Sequence, residues 1–214
     1  MPKYTQPRRN WQHSNEFIVV FPNTGEHRNL AKIVITGAPG TGKTTLLQAL
    51  ESRGYDIVGD SPRAIIQGRI ARGLTPRPEA REFARQTLQL DIENFERNAK
   101  SPGHVLFDRS VLDALCTLDL VEPLSDCELG MFLSKYRYYS LAFILPPWKE
   151  IYVNDAERDH LFDHAEFVHR TTQNWYRRCG YELIEVPRVS IHERCAFVLQ
   201  TLEARDQMLA KETP

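Results

Sequence analysis

The stretch Gly37-Ala38-Pro39-Gly40-Thr41-Gly42-Lys43-Thr44 constrains this chain more than any other. It fits G-x-x-x-x-G-K-[ST] and lies between a strand signal and a helix signal. Ala31 to Thr36 reads as a buried strand, and Thr45 to Leu50 reads as a helix that stops near Gly54. In such a unit the glycines let successive backbone N–H groups curl around a phosphate, and the helix dipole adds positive potential. Gly37, Ala38, Pro39, Gly40, Thr41, Gly42, Lys43, Thr44 and Thr45 are therefore the expected nucleotide contacts. Lys43 would reach the β- and γ-phosphates, and the Thr44 hydroxyl would hold Mg²⁺. A chance glycine-rich turn would not come with strand, loop and helix in register. The chain is expected to bind a nucleoside triphosphate, ATP or GTP; no N-K-x-D guanine-reading sequence is present.

From Lys32 onward strand and helix signals alternate, which indicates an α/β domain with a parallel sheet covered on both faces. The further strands are expected at Tyr55–Gly59, His104–Asp108, Ser140–Leu145 and Glu182–Val186. Between them, Ser61-Pro62 opens a helix to about Arg72, with Ser61 as N-cap, and Glu79 to Asn98 is a long helix. Ser125-Asp126-Cys127-Glu128 and Ser190-Ile191-His192-Glu193 are capping boxes that open two more helices. The expectation is a five-stranded P-loop sandwich over residues 31–210 in three layers, strand order 2-3-1-4-5. Residues 1–30 form an extension, part mobile tail and part edge strand.

Ligands of such sheets lie at the carboxyl ends of the strands, and that rule picks a short list of side chains. Asp108 ends an apolar strand as a Walker-B acid does and is a second Mg²⁺ candidate; its competing reading is a helix cap. Arg109 follows it, where a motor ATPase has a glutamate. That argues for an arginine that clamps phosphates during transfer rather than for a hydrolysis engine. Asp60 is a candidate general base, or a cap for the helix after it, and Arg63 lies one turn inside that helix. Lys149, Arg158, Asp155, Glu157 and Asp159 belong to a charge-dense stretch that either closes over phosphates or is simply solvated. Gln86 and Arg85 are mid-helix, and the Gln86 amide is either a base-edge reader or a surface group. His160, His164 and His169 lack metal-site spacing and read as surface or helix-face residues.

The totals exclude several classes. A net charge of −1 gives no global argument for nucleic acid or an anionic membrane. No stretch approaches the ~18 apolar residues of a membrane span, and the polar start has no signal-peptide core. Cys116, Cys127, Cys179 and Cys195 form no C-x-x-C pair and are expected to be reduced, in a cytoplasmic protein.

Taken together, these residues resemble a family of small P-loop proteins labelled AAA-type ATPases or NTPase-domain proteins. That family is close to nicotinamide riboside kinase and to the deoxynucleoside and thymidylate kinases. The resemblance runs through the phosphate loop, Phe107-Asp108-Arg109-Ser110, the stretch from Leu145-Pro146-Pro147-Trp148 to Arg158, and Gly180 to Pro187. It implies that Arg109 contacts phosphates and that Asp60 takes the place of a carboxylate base, where relatives carry Glu. It also implies that Arg158 sits in a lid over the transferring phosphate, and that Pro187 to Val189, with Pro187 and Val189 as contacts, pass the nucleotide base. The favoured activity is Mg²⁺-dependent phosphoryl transfer from ATP to a small-molecule acceptor, with Lys43, Asp60, Asp108, Arg109 and Arg158 carrying it. The alternatives are a regulatory ATP- or GTP-binding NTPase acting with a protein or lipid partner, and a polynucleotide end kinase using Arg69, Arg72, Arg77, Arg81 and Arg85.

Overall fold

A computed structural model describes residues 31–101, 103–151 and 162–212. Five parallel strands form one sheet in the order β2-β3-β1-β4-β5. They are β1 (Lys32–Gly37), β2 (Asp56–Val58), β3 (Val105–Asp108), β4 (Leu141–Leu145) and β5 (Glu182–Glu185). The three central strands are buried over all but Lys32 because helices cover both faces. Along β1 the side chains alternate. Val34 joins the core under α3 (Ala80–Arg97), α4 (Val111–Asp119), α5 (Asp126–Lys135) and α6 (Phe162–Arg178). Ile33 and Ile35 join the core under α1 (Lys43–Glu51) and α7 (Ile191–Glu212). The remaining helix, α2 (Ser61–Ala71), buries only Ser61 and packs against α3.

Helix starts follow local chemistry with one correction. The Ser125 capping box is present, and Ser190 and Glu193 make the same reciprocal bonds. The N-cap of α2, however, is Asp60 rather than Ser61: Asp60 Oδ1 accepts from the Arg63 amide at 3.1 Å. An aspartate there caps as well as a serine does, and it leaves the Ser61 hydroxyl for another partner. Asp108 does not cap a helix, since Ser110 caps α4. Residues 1–30, expected as an extension, lie outside the described residues. No described helix is long and apolar enough to cross a membrane. Cys116, Cys179 and Cys195 are buried free thiols and Cys127 is exposed.

A buried polar knot joins the sheet to the helices beneath the phosphate loop. The Asp113 carboxylate on α4 accepts from Thr36 of β1, from Ser110 at 3.0 Å and from Tyr176 of α6 at 2.6 Å. A buried carboxylate tolerates desolvation only while its donors are kept. Tyr176→Phe should therefore cost about 2 kcal/mol, the usual loss for a hydrogen bond to a charged group. Urea unfolding would show a lower midpoint at unchanged slope; a shift below about 0.5 kcal/mol would mean that Ser110 and Thr36 suffice.

Candidate functional site

The turn between β1 and α1 is an anion cradle. Gly37 has φ of 148° against β4, and a Cβ there would lie 2.8 Å from the Leu145 carbonyl oxygen. Gly42, at φ of 80°, is the N-cap of α1 and supplies no side-chain cap, and no acid stands in the first turn. The leading N–H groups of α1 are left for an outside acceptor. Thr41 Oγ1 donates to the Ala38 carbonyl at 2.9 Å and braces the loop.

Above the cradle, charged groups converge from three strand ends. Lys43 Nζ contacts Asp108 at the end of β3 and lies 3.7 Å from Asp60 at the start of α2. Arg109 Nε lies 3.8 Å from the same Asp60 oxygen and has no hydrogen-bond partner although buried. Arg109 has φ of 69°, the left-handed region that a non-glycine residue enters at a cost of order 1 kcal/mol, so the local fold holds it there. Burial by itself would raise the Asp60 carboxyl, but Arg109 and then Lys43 outweigh burial and hold it below the usual carboxylate range. Asp108 goes the other way: burial raises it, against the pull of Lys43.

Lys43, Asp60 and Arg109 open into a cavity of about 550 Å³, and Asp108 lies behind Lys43, outside its lining. The whole phosphate loop from Ala38 to Thr45 lines it, with Asp60, Arg109 and Val189 among the sequence candidates. Pro187 does not line it; it accepts from the Val189 amide within the β5–α7 loop. Arg158 lies outside the described residues. Mg²⁺ fits the donor set: the Thr44 hydroxyl lines the cavity, and two carboxylates flank one ammonium. No cluster of three or more His, Cys, Asp or Glu suited to a metal exists among the described residues, but Mg²⁺ bound through phosphates needs none.

Other expectations change. Gln86 bonds Glu82, and Arg85 grips Glu122 on the exposed face of α3, so neither faces the cavity. His169, read as a surface or helix-face residue, is buried 3.4 Å from Glu185, and burial lowers its pKa. Two partners had no sequence signal. Arg194 on α7 stacks 4.5 Å above the Trp148 ring and donates to the carbonyls of Val189 (3.0 Å) and Thr41 (3.3 Å). Asp91 on α3 accepts from Ser61, which also accepts from Asn94 at 3.2 Å.

A family model described as AAA domain matches residues 32–194, more than half of the chain. The chain belongs to that family. This AAA-domain chain is 33% identical over 98 residues to a nucleotide-binding protein of Granulibacter bethesdensis, covering 44% of this chain and 30% of that protein. It is 27% identical over 146 residues to one of Cereibacter sphaeroides, covering 63% and 45%. The matched stretches thus span less than half the length of those relatives. Among solved structures it is similar to the NadR protein in complex with NR, with TM-score 0.61 and 17% identity, covering 83% of this chain and 52% of that one. It is also similar to deoxyadenosine kinase from M. mycoides with products dcmp and dcdp (0.58; 13%; 81% and 99%) and to Candida albicans thymidylate kinase (0.53; 12%; 83% and 92%). The fold of this AAA-domain chain is that of the nucleoside and nucleotide kinases.

Asp91 gives the AAA-domain chain a measurable signature. It is 5% exposed with one oxygen unpartnered, and burial pushes its pKa up to about 7. Folded protein therefore binds a proton here that unfolded protein releases near 4, so stability falls as pH rises from about 4 to 7. The loss, from about three pKa units, is on the order of 4 kcal/mol above pH 7. Asp91→Asn keeps an acceptor for Ser61 and removes the ionisation. Denaturation at pH 5 and pH 8 should show the variant gaining on the native chain as pH rises; an equal difference at both would contradict this assignment.

Proposed function

We propose that this protein transfers the γ-phosphoryl group of ATP to a small-molecule acceptor. The observation that carries the reading is Arg109: a half-buried guanidinium whose buried Nε has no hydrogen-bond partner, beside the phosphate loop and at a strand end where a hydrolytic motor would carry glutamate. The fold shared with nucleoside and nucleotide kinases supports it, as do the curated relatives' names as nucleotide-binding proteins.

On this reading the loop amides and the Lys43 ammonium hold the β- and γ-phosphates, and Lys43 turns from Asp108 to the phosphate when nucleotide enters. Arg109 compensates the charge that spreads over the γ-phosphoryl oxygens as it moves in line between donor and acceptor. Thr44 and Asp108 are the residues that would hold Mg²⁺, which neutralises charge between the β- and γ-phosphates. Asp60 orients Lys43 and Arg109 through its charge; a carboxylate held ionised by two cations is a weak base. Val189 and the Trp148–Arg194 stack form the end of the cavity where the ATP base would sit. Four of the five arginines of a polynucleotide groove are engaged elsewhere, Arg81 and Arg85 on Glu122, Arg69 on Thr75 and Arg72 on the Gly68 carbonyl, and the fifth, Arg77, lines the cavity.

With γ-labelled ATP, Mg²⁺ and pooled nucleosides, nucleotides and nicotinamide riboside, label should pass to one acceptor. Lys43→Ala, Asp108→Ala and Arg109→Ala should each lower that transfer at least about a hundredfold, in the range seen for loss of one transition-state charge partner. Slow release of inorganic phosphate with no labelled acceptor would sink phosphoryl transfer and leave a regulatory NTPase.

A further inference from the structure

The end of the cavity made by the segments after β4 and β5 is built differently from the phosphate end. Trp148, Ile151, Val189, Ser190, Ile191 and Arg194 line it. One face of the Trp148 ring is covered by the Arg194 guanidinium, 4.5 Å from the ring centroid. Arg194 is buried, and no carboxylate pairs with it among the described residues. Its donors go to two carbonyls instead, Nε to Val189 at 3.0 Å and a terminal nitrogen to Thr41 at 3.3 Å. That same nitrogen would lie 2.9 Å from a Cβ on Gly42, so the guanidinium packs against the phosphate loop itself. One side chain fixes the indole plane and the loop together. The polar groups around it are already bonded. The Val189 amide donates to the Pro187 carbonyl at 3.0 Å, and its carbonyl accepts from Arg194. The Ser190 amide and hydroxyl both donate to Glu193. What this end offers a base is the half-buried indole, a surface on which any base can stack.

We propose that this end selects the triphosphate by stacking its base on Trp148, taking the purines ATP and GTP alike, with Arg194 as the positioning residue that holds the indole and the phosphate loop together. This deepens the phosphoryl-transfer reading above and rests on its placement of a triphosphate in this cavity. Adenine and guanine differ in the donors and acceptors on their edges. A site that hydrogen-bonds a base edge rejects the analogue lacking the matching group, because its own polar atoms are then left unpaired. An aromatic face makes no such demand. It discriminates by stacked area, so two-ring purines bind ahead of one-ring pyrimidines. Arg194 acts through Trp148 and through the Thr41 carbonyl. Its planar fork stacks on a ring and donates to two carbonyls at once, which a lysine ammonium cannot reproduce.

The test is calorimetry with Mg²⁺ and the β,γ-imido analogues of ATP, GTP and UTP, beside inorganic tripolyphosphate, which carries no base. The two purine analogues should bind within about threefold of each other and more tightly than the UTP analogue. Tripolyphosphate should bind at least about tenfold more weakly than either purine, the scale of one lost base–aromatic stack. Trp148→Leu should weaken both purine analogues about tenfold and leave tripolyphosphate within about twofold, while Trp148→Phe keeps most of the purine affinity. Arg194→Lys should weaken purine analogues and tripolyphosphate together, because it frees the loop as well as the indole. Trp148 is half-buried in a loop, so its variants test the stack even where Arg194→Lys unsettles α7. An ATP–GTP difference beyond about threefold, UTP binding as tightly as the purines, or equal losses in Trp148→Leu and Trp148→Phe would overturn the stacking. Arg194→Lys sparing tripolyphosphate would overturn its hold on the phosphate loop. The expected base selection with no label reaching any acceptor would support this site and refute phosphoryl transfer. Transfer from ATP with GTP at least about tenfold poorer would do the reverse.

Discussion

The site depends on the Lys43 ammonium being held between two carboxylates that come from different strands. Asp108 ends β3 and Asp60 follows β2, and both lie within ion-pair reach of the first residue of α1. In a parallel sheet of order β2-β3-β1-β4-β5 these three strand ends are neighbours, so one cation can bridge them. Asp60 and Asp108 are the ion-pair partners of the buried Lys43. On the proposed reading, the contacts that hold these charges together also pre-position them for a triphosphate.

Asp60 connects this centre to the rest of the fold. One of its oxygens caps α2 and the other faces Lys43 and Arg109. The next residue, Ser61, is bound by Asp91 and Asn94 of α3, so a helix that contributes nothing to the cavity surface fixes where α2 begins. Asp91 is the unfavourable part of this latch, a desolvated acid whose pKa is pushed up to about 7. On the opposite side Arg194 ties α7 to the loops after β4 and β5 and packs where a Cβ on Gly42 would collide with it. The phosphate loop is thus shaped from outside as well as by its own glycines.

The proposed phosphoryl transfer rests on the electrostatics of this cavity. Where a motor ATPase places an acid to polarise water, the chain places Arg109, and it accepts a left-handed backbone to do so. A positive group there favours a developing phosphoryl charge over activation of water. Arg63 on α2 and Arg77 in the loop after it add further positive charge to the cavity lining.

The sequence by itself determined the fold and the phosphate cradle. Both are written in local terms: glycines spaced through residues 37–42, apolar runs of strand length, and helix caps within a few residues of the helices they start. Asp60, Asp108 and Arg109 were also legible, because strand ends in a parallel sheet converge whatever the helices do. Only the tertiary structure decided the rest. Arg194 meets Thr41 across 153 positions of chain, and Asp91 meets Ser61 across 30, distances over which no periodicity or spacing carries a signal. It moved Pro187 off the cavity surface and tied Gln86 and Arg85 to neighbours on an exposed helix face. Side-chain direction there depends on how α3 and the β5–α7 loop pack, not on which residues they contain.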